Sequence, residues 1–384
     1  MSKRDTLLVT NARLVLADRV IERGWVAAVG GTIVEIGEGS APERGEDAQG
    51  DIVMPGLVEL HTDHIESHYV PRPKVYWDPV AAVVAYDGQI ATSGITTVLD
   101  SLRVWREELV EGADGDALKL AGAIATAREA DLLRCDHFLH LRCEIPMHGV
   151  VEEARELIGR SDVRLASLMD HTPGQRQFRD ESKLRDYYRG KNGGMTDAEL
   201  DRLFERRLEL QRLNGAENHR GLVALAREHG MPLASHDDTT ADHVAEAIDD
   251  GVAIAEFPTT VEAAQGLHAA GIRVLMGAPN LVRGGSHSGN IASRDLAAAG
   301  LLDILSSDYV PSSLLMAAIA MPEVVAGIDL ATAVRTVTKN PAEAVGLDDR
   351  GEIAVGRRAD LIRVHIARDR VAARCVWRTG NRVA

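Results

Sequence analysis

Short apolar runs alternate with helical patterns through the middle of this chain, and this alternation limits its fold more than any other feature. Strand, helix and strand in succession form the repeating unit of a parallel α/β structure. The number of apolar runs matches the eight strands of a closed (β/α)8 TIM barrel. The predicted strands are residues 52–60, 96–100, 138–142, 165–169, 233–235, 254–257, 274–276 and 304–306. The predicted helices include residues 115–130, 150–158, 218–228, 239–249, 261–269 and 293–299.

Both ends of the chain have a different pattern, in which short strand-like segments are joined by turns. Residues 1–53 contain several such segments, with a hairpin signal at Gly30-Gly31, and residues 345–384 contain more. Because two β-rich ends flank one α/β body, we predict a small composite β-sandwich domain built from both termini. Residues 54–344 then form the barrel of an α/β protein.

One charged interval, residues 176–217, interrupts the alternation. Thr196 and Glu199 have the spacing of a helix capping box. The apolar residues that follow, Leu200, Leu203, Phe204 and Leu208, form a helical stripe. Packing of this stripe on the barrel is the favoured interpretation, with a partner interface or a substrate-covering lid as the alternatives.

Charge and cysteine content exclude several classes of function. The 384 residues include 43 basic and 58 acidic ones, a formal net charge of −15, which disfavours general binding to nucleic acid or to an anionic membrane. Uncharged apolar runs are all shorter than the roughly 18 residues of a membrane span. Cys135, Cys143 and Cys375 are widely separated, which favours a reducing cytoplasm over a disulfide framework or a thiolate zinc site.

Polar side chains follow the predicted strands where these end. His61 and Asp63 are two residues apart, so both leave the first strand on the same side. Comparable positions after later strands are Asp100, His140, Glu144, Asp170, His171, His236, Asp237, Asp238 and Asp308. In a barrel these ends meet at the face that carries active sites. Imidazole and carboxylate ligands suit zinc, manganese or iron, and a carboxylate between histidines lets two divalent ions share a ligand.

Cationic and glycine-rich loops follow several of the same strands. The loop after the seventh strand, residues 278–290, has the glycines of an anion nest and lies where barrels often bind phosphate. We therefore predict an anionic small-molecule substrate, with a merely flexible loop as the alternative. The predicted substrate contacts are Arg72, Lys74, Arg176, Arg283, Ser286 and His287.

Two motifs resemble the amidohydrolase superfamily of metal-dependent barrel hydrolases. Pro55-Gly56 and His61-Thr62-Asp63 are similar to the start of that barrel, and residues 351–361 are similar to its return strand. The resemblance implies a dinuclear site with two divalent ions, zinc being the expected metal. The implied metal ligands are His61, Asp63, Glu144, His171, His236 and Asp308.

The chain departs from the family pattern at two of these positions. Asp63 replaces the second histidine of the usual His-x-His, and Glu144 stands in for the commonly carboxylated lysine. Both still offer oxygen ligands. His64 and His140 are alternative ligands, although a supporting role is the favoured interpretation for both. The resemblance makes Asp308 the base that deprotonates the attacking water; its local sequence alone fits a helix cap equally well.

Longer motifs resemble the branch of this superfamily that acts on α-D-ribose 1-methylphosphonate 5-triphosphate in the carbon–phosphorus lyase pathway. They are residues 59–63, 71–75, 140–144, 167–178, 234–238, 255–260, 283–290 and 303–309. The resemblance covers nearly the whole chain and implies hydrolysis of a ribose 5-triphosphate to the 5-phosphate and pyrophosphate. A cyclic-amide hydrolase or nucleobase deaminase on the same barrel is one alternative. A non-catalytic scaffold is the other, and the sequence leaves a homo-oligomer open.

Overall fold

The computed structural model describes residues 6–105, 116–178, 182, 184–185, 188–189, 195–286, 289–368 and 370–384. Its strands are β1 (Thr6–Val15), β2 (Val20–Val29), β3 (Thr32–Glu38), β4 (Glu46–Asp47), β5 (Ile52–Pro55), β6 (Leu57–Thr62), β7 (Ile95–Val104), β8 (Asp136–Glu144), β9 (Val163–Met169), β10 (Leu233–His236), β11 (Ile254–Glu256), β12 (Arg273–Gly277), β13 (Ile304–Ser306), β14 (Leu361–Ala367), β15 (Arg370–Arg378) and β16 (Asn381–Arg382).

The helices of the described residues cover the outside of the barrel and its loops. They are α1 (Ile65–Tyr69), α2 (Pro79–Thr92), α3 (Ala117–Glu129), α4 (Val150–Ile158), α5 (Asp197–His229), α6 (Ala241–Asp250), α7 (Val261–Ala269), α8 (Ala278–Arg283), α9 (Ser293–Ala298), α10 (Ser313–Val324), α11 (Leu330–Arg335) and α12 (Lys339–Ala344). In this part of the chain, every helix is too short or too polar to span a bilayer.

Eight parallel strands, β6 to β13, form the predicted barrel, each pairing with the next in chain order. A parallel bridge between Thr62 and Asp308 brings the last strand back to the first. Buried Glu59 reinforces this closure, because it accepts hydrogen bonds from the Ser306 hydroxyl (2.7 Å) and the Ser307 backbone N–H (2.6 Å). The seam therefore lies beside the strand ends that carry His61 and Asp308.

The two ends of the chain meet in one mixed sheet, which confirms that both termini build the second β domain. Its strand order is β16-β15-β14-β5-β1-β2-β3, with β4 paired to β1. Strand β5 pairs with β14 on one side and with β1 on the other, so the two ends complete the sheet together. Its core includes Val9, Leu14, Val26, Ile33, Leu361 and Trp377.

The chain passes from the mixed sheet into the barrel at Gly56. The sequence predicts one strand over residues 52–60, but the structure splits it into β5 in the sheet and β6 in the barrel. A Cβ atom at Gly56 would lie 2.2 Å from the Thr96 hydroxyl oxygen, so glycine is required at this crossing. The predicted boundary between residues 53 and 54 thus falls inside β5.

A single 33-residue helix, α5, joins the charged insertion to the barrel layer. It begins with the predicted capping box of Thr196 and Glu199. The sequence predicts a separate helix over residues 218–228, which is the C-terminal part of α5. Because the helix is continuous, its N-terminal half is held in a fixed direction by the half that packs on the barrel.

The apolar stripe of α5 has two different neighbours. Leu203 and Phe204 pack with Leu184 of the preceding segment, so this part of the stripe is buried within the insertion itself and not on the barrel as favoured above. Leu208 is 49% exposed. Two residues further on, Leu210 packs with Trp105 and Met147 at the barrel mouth, so the helix also reaches the strand ends.

Candidate metal centre

The register of β7, β8 and β9 determines which side chains enter the barrel. Ser101 pairs with His140 and Arg103 with Arg142 on the neighbouring strand. The Ser101 hydroxyl lies 3.1 Å from His140 Nδ1, so these paired positions point to the same side. Since strand residues two apart share a face, His140, Arg142 and Glu144 all project inward at successively higher levels.

A first cluster of potential metal ligands is fully buried and contains His61, His140 and Glu256. One ligand atom of each lies within 4.8 Å of the others. His61 Nδ1 is 2.9 Å and His140 Nε2 is 3.8 Å from Glu256 Oε1. The Ser167 hydroxyl lies between Glu256 Oε2 (2.6 Å) and His140 Nε2 and can donate its single proton to either of them.

The protonation of this cluster suits metal binding. Burial lowers the pKa of His61, and lowers that of His140 to about 3, so both imidazoles are neutral at pH 7. His140 Nδ1 lies 2.9 Å from the Leu60 carbonyl oxygen, which can only accept, so Nδ1 carries the proton and Nε2 the lone pair. Burial raises the pKa of Glu256, but His61 and His140 outweigh it and keep the carboxylate ionised.

A second cluster lies nearer the mouth and contains His171, His236 and Asp237. Asp237 Oδ2 is 2.5 Å from His236 Nδ1 and 4.0 Å from His171 Nε2. Glu144 orients His171, since it accepts from the backbone N–H (2.8 Å) and lies 2.6 Å from Nδ1. The His61 and His236 ring centroids are 5.6 Å apart, so the two clusters are neighbours.

Three residues just after barrel strands have positive φ angles: Asp237 (57°), Phe257 (56°) and Asp308 (53°). This conformation costs free energy for side chains other than glycine and concentrates at functional sites. At Asp308 the backbone is held by its N–H donating to the His61 carbonyl (3.1 Å) and by its carbonyl accepting from the Thr62 hydroxyl (2.7 Å). Hydrogen bonds to the end of the first barrel strand thus hold Asp308 beside His61 at the barrel mouth.

The structure brings the six predicted metal ligands to one mouth, with different partners. His61, His171 and His236 belong to the two clusters. Glu144 is bound to His171, and Asp63 accepts from Arg142 Nη1 at 3.1 Å. The metal-ligand role of all six residues stays a prediction.

Asp308 is half-buried close to Asp63, and its ionisation reflects that environment. Burial and the Asp63 charge raise the pKa of Asp308 to about 7, although Arg142 and His236 oppose the shift. A carboxylate with this pKa can exchange a proton near neutrality, as a general base requires.

The predicted substrate contacts are spread around the mouth. Arg72 and Lys74 are exposed on the loop after α1, and Arg283 and Ser286 lie at the end of α8 and just beyond it. His287 lies outside the described residues. Arg176 is buried, and its guanidinium donates to the His236 carbonyl (2.9 Å), Asp238 (2.9 Å) and Glu246 (2.8 Å). These hydrogen bonds hold the strand end that carries His236.

The sequence did not single out Asp237 and Glu256 as candidate metal ligands, and it ranked His140 below the six predicted ones. The spacing of His140, Arg142 and Glu144 was available as a signal, because period two on a strand directs all three inward. Glu256 ends a strand of only three residues, Ile254–Glu256, which is too short to show alternation. Its proximity to His61 depends on barrel closure, which local sequence does not encode.

Comparisons with known proteins agree with this geometry. A model of the amidohydrolase family matches residues 52–382. The chain is 44% identical over 382 residues to alpha-D-ribose 1-methylphosphonate 5-triphosphate diphosphatase of Escherichia coli strain K12. The aligned region covers 98% of this chain and 100% of that protein. A shorter match, 34% over 151 residues, links it to adenine deaminase of Methanothermobacter thermautotrophicus, covering 38% of this chain and 26% of that protein.

Solved structures with similar folds are more distant in sequence. A 5-methylcytosine deaminase from Klebsiella pneumoniae with bound phosphonocytosine has a TM-score of 0.66 at 17% identity and covers 98% of both chains. An N-acetyl-D-glucosamine-6-phosphate deacetylase from Mycobacterium smegmatis has a TM-score of 0.61 at 18% identity, covering 98% of this chain and 100% of that one. At such identities they establish the fold alone.

Proposed function

The chain belongs to the amidohydrolase family, and we propose that it hydrolyses α-D-ribose 1-methylphosphonate 5-triphosphate to the 5-phosphate and pyrophosphate. The bond broken is the anhydride between the α- and β-phosphates, and water supplies the oxygen of the new P–O bond. The observation that carries the proposal is the 44% identity to the E. coli diphosphatase over that protein's whole length. The two histidine and carboxylate clusters at the barrel mouth support it.

The donor set fits two divalent metals, and we propose zinc for both. Neutral imidazoles and ionised carboxylates are the ligand forms that zinc binds. His61, His140 and Glu256 would hold one ion, and His171, His236 and Asp237 the other. Asp63, Glu144 and Asp308 add oxygen ligands from the same mouth. Divalent metals in such a centre supply Lewis acidity and make hydroxide available near neutral pH.

The remaining residues act on protons and on substrate position. Asp308 accepts the proton of the attacking water, consistent with its pKa of about 7. Arg72, Lys74, Arg283 and Ser286 around the rim would contact the anionic substrate, and we propose His287 as a further contact. Arg176 supports the site by holding the backbone at His236.

The deciding experiment is phosphorus NMR of the metal-loaded protein with the ribose triphosphate, and with ATP as comparison. We expect pyrophosphate to accumulate from the first substrate and more slowly from ATP. Orthophosphate as the first product, or no cleavage by protein that holds two metals, contradicts the proposal. Because adenine deaminase shares a 151-residue match, ammonia release from adenine and cytosine is measured in parallel and is expected to be absent.

Two further properties belong to this proposal. The free cysteines Cys135, Cys143 and Cys375 are all buried, which suits a reducing cytoplasm. The ligand we propose is a small molecule, and sedimentation would establish whether the chain forms a homo-oligomer.

A further inference from the structure

Two arginines stand side by side on the inner wall of the barrel mouth. Arg103 on β7 and Arg142 on β8 are register partners on adjacent parallel strands. The contact between Ser101 and His140, two residues earlier on each strand, shows that this side of the sheet faces the cluster of His61, His140 and Glu256. Adjacent strands are roughly 4.8 Å apart, so two positive charges in register repel each other. Such a pair needs anionic partners.

Each guanidinium is already fixed in position. Arg142 Nη1 lies 3.1 Å from Asp63 Oδ2, and Arg103 Nη2 lies 2.6 Å from Glu66 Oε2. Arg103 also lies over the Trp105 ring, 5.7 Å from its centroid. The Arg142 side chain is 12% exposed and the Arg103 side chain is 30% exposed. The pair is therefore rigid but reachable from the mouth.

Trp105, which supports Arg103, is itself held by the charged insertion. It packs with Met147 of the loop after β8 and with Leu210 of α5. Helix α5 thus contributes to the position of the arginine pair although it lies outside the barrel wall. Rigid support of this kind reduces the ordering cost of binding an anion.

Both arginines retain donors that no carboxylate uses. Within the described residues, the Nε–H groups of Arg103 and Arg142 are buried and have no hydrogen-bond acceptor. A buried donor without an acceptor is unfavourable. Guanidinium donors match the oxygens of a phosphate, often in pairs. A phosphate that reached the pair could supply the missing acceptors.

We propose that Arg103 and Arg142 form an anion-binding pair that holds phosphoryl oxygens of the substrate's triphosphate chain next to the metal centre. The chemical identity of this ligand rests on the proposed function, whereas the arginine pair and its spare donors do not. Arg142 lies one inward position above His140 and one below Glu144, so an anion there adjoins both clusters. The alternative is that the two arginines only neutralise Asp63 and Glu66.

The test is calorimetric binding of inorganic pyrophosphate to the metal-loaded protein and to Arg103→Gln, Arg142→Lys and Arg142→Gln. We expect the dissociation constant to rise at least tenfold in each Gln variant. Arg142→Lys keeps the charge beside Asp63 but loses the planar fork, so it should also lose several-fold in affinity. Arg164→Gln is the matched control, because Arg164 lies at the opposite end of the barrel. Its Cζ atom is 5.2 Å from the centroid of the Phe138 ring.

Metal content and melting temperature are measured for every variant, so that a lost anion site is separated from a lost metal site. If an Arg142 variant loses metal or fails to fold, Arg103→Gln and chelator-treated protein decide the question. Pyrophosphate affinity within twofold of wild type in all variants that fold overturns the proposal. Normal triphosphate turnover together with unchanged pyrophosphate affinity refutes the anion-binding pair and leaves the proposed function in place. Pyrophosphate binding that depends on the arginines, without any triphosphate turnover, refutes the proposed function and leaves the anion-binding pair in place.

Discussion

At the scale of single residues, the imidazole of His140 donates through Nδ1 to the Leu60 carbonyl and leaves Nε2 facing Ser167 and Glu256. That arrangement is typical of a metal-binding histidine, whose second nitrogen is fixed by a carbonyl. It differs from the supporting role that the sequence predicts for this residue.

We predict that His140→Ala lowers the bound metal from two equivalents to about one and reduces turnover at least about 100-fold. Elemental analysis of the purified protein measures the metal directly. His219→Ala is the control, since His219 pairs with Asp250 on the outer helices. Full metal content in the His140 variant would restore the supporting role.

His137, three residues earlier, provides a pH-dependent prediction outside the two candidate metal-ligand clusters. Its ring lies 2.8 Å from Asp100 and 3.3 Å from Asp87. Burial lowers the pKa of His137, but the two carboxylates outweigh it and raise the pKa to about 9. The folded state therefore keeps a proton that the unfolded chain releases near pH 6.5.

The stabilisation from His137 is full below pH 6.5 and is lost as pH rises through about 9. It amounts to about 3 kcal/mol in the free energy of unfolding. Urea unfolding of wild type and of His137→Asn between pH 6 and 9.5 checks this, because the difference between the two should shrink as pH rises. A constant difference would show that the histidine is not charged in the folded protein.

At the scale of elements, α5 connects the insertion to the loop after β8. The Asn218 amide donates to the buried carbonyls of Ile145 and Met147, both at 2.8 Å. That loop follows Glu144, which orients His171. The helix therefore supports the second cluster through the backbone.

Asn218→Ala should lower the free energy of unfolding by about 1–3 kcal/mol, because two buried carbonyls lose their donor. It should also weaken metal binding by about tenfold through the loop. Hydrogen exchange of residues 145–149 and metal titration measure the two effects. Arg212→Ala, which breaks only an exposed pair with Glu209, should change stability by less than about 0.5 kcal/mol.

The sequence predicted elements better than it predicted their partners. Alternation identified all eight barrel strands, and the capping box at Thr196 was found because it depends on four neighbouring residues. The break at Gly56 was missed, since the clash that requires glycine involves Thr96, forty residues away. The cluster of His61, His140 and Glu256 was missed for the same reason, as it joins three separate strands.

At the scale of the whole molecule, Asp136 joins the barrel to the mixed sheet. It lies at the start of β8, and its carboxylate forms salt bridges with Arg350 (2.7 Å), Arg358 (2.7 Å) and Arg378 (3.4 Å). All three arginines belong to the C-terminal part of the chain. Three cations on one carboxylate hold the two β structures together at the barrel end opposite the two candidate metal-ligand clusters.

Asp136→Asn should lower the free energy of unfolding by about 3 kcal/mol, because it leaves three partly buried guanidinium groups without their shared charge. Chemical denaturation measures the change, and Asp18→Asn, at an exposed pair with Arg19, is the control. Equal stability of the two variants would mean that packing alone holds the sheet to the barrel.

The central claim is that two clusters of metal-binding side chains at one barrel mouth hold the ions needed to cleave a triphosphate. Stepwise restoration of metal to the metal-free protein tests this claim most directly. Chelator-treated protein is titrated with zinc while pyrophosphate release from the ribose triphosphate and bound metal are measured together. We predict negligible release without metal and a maximum at two equivalents per chain. Full release from metal-free protein, or no release at two equivalents, would contradict the account.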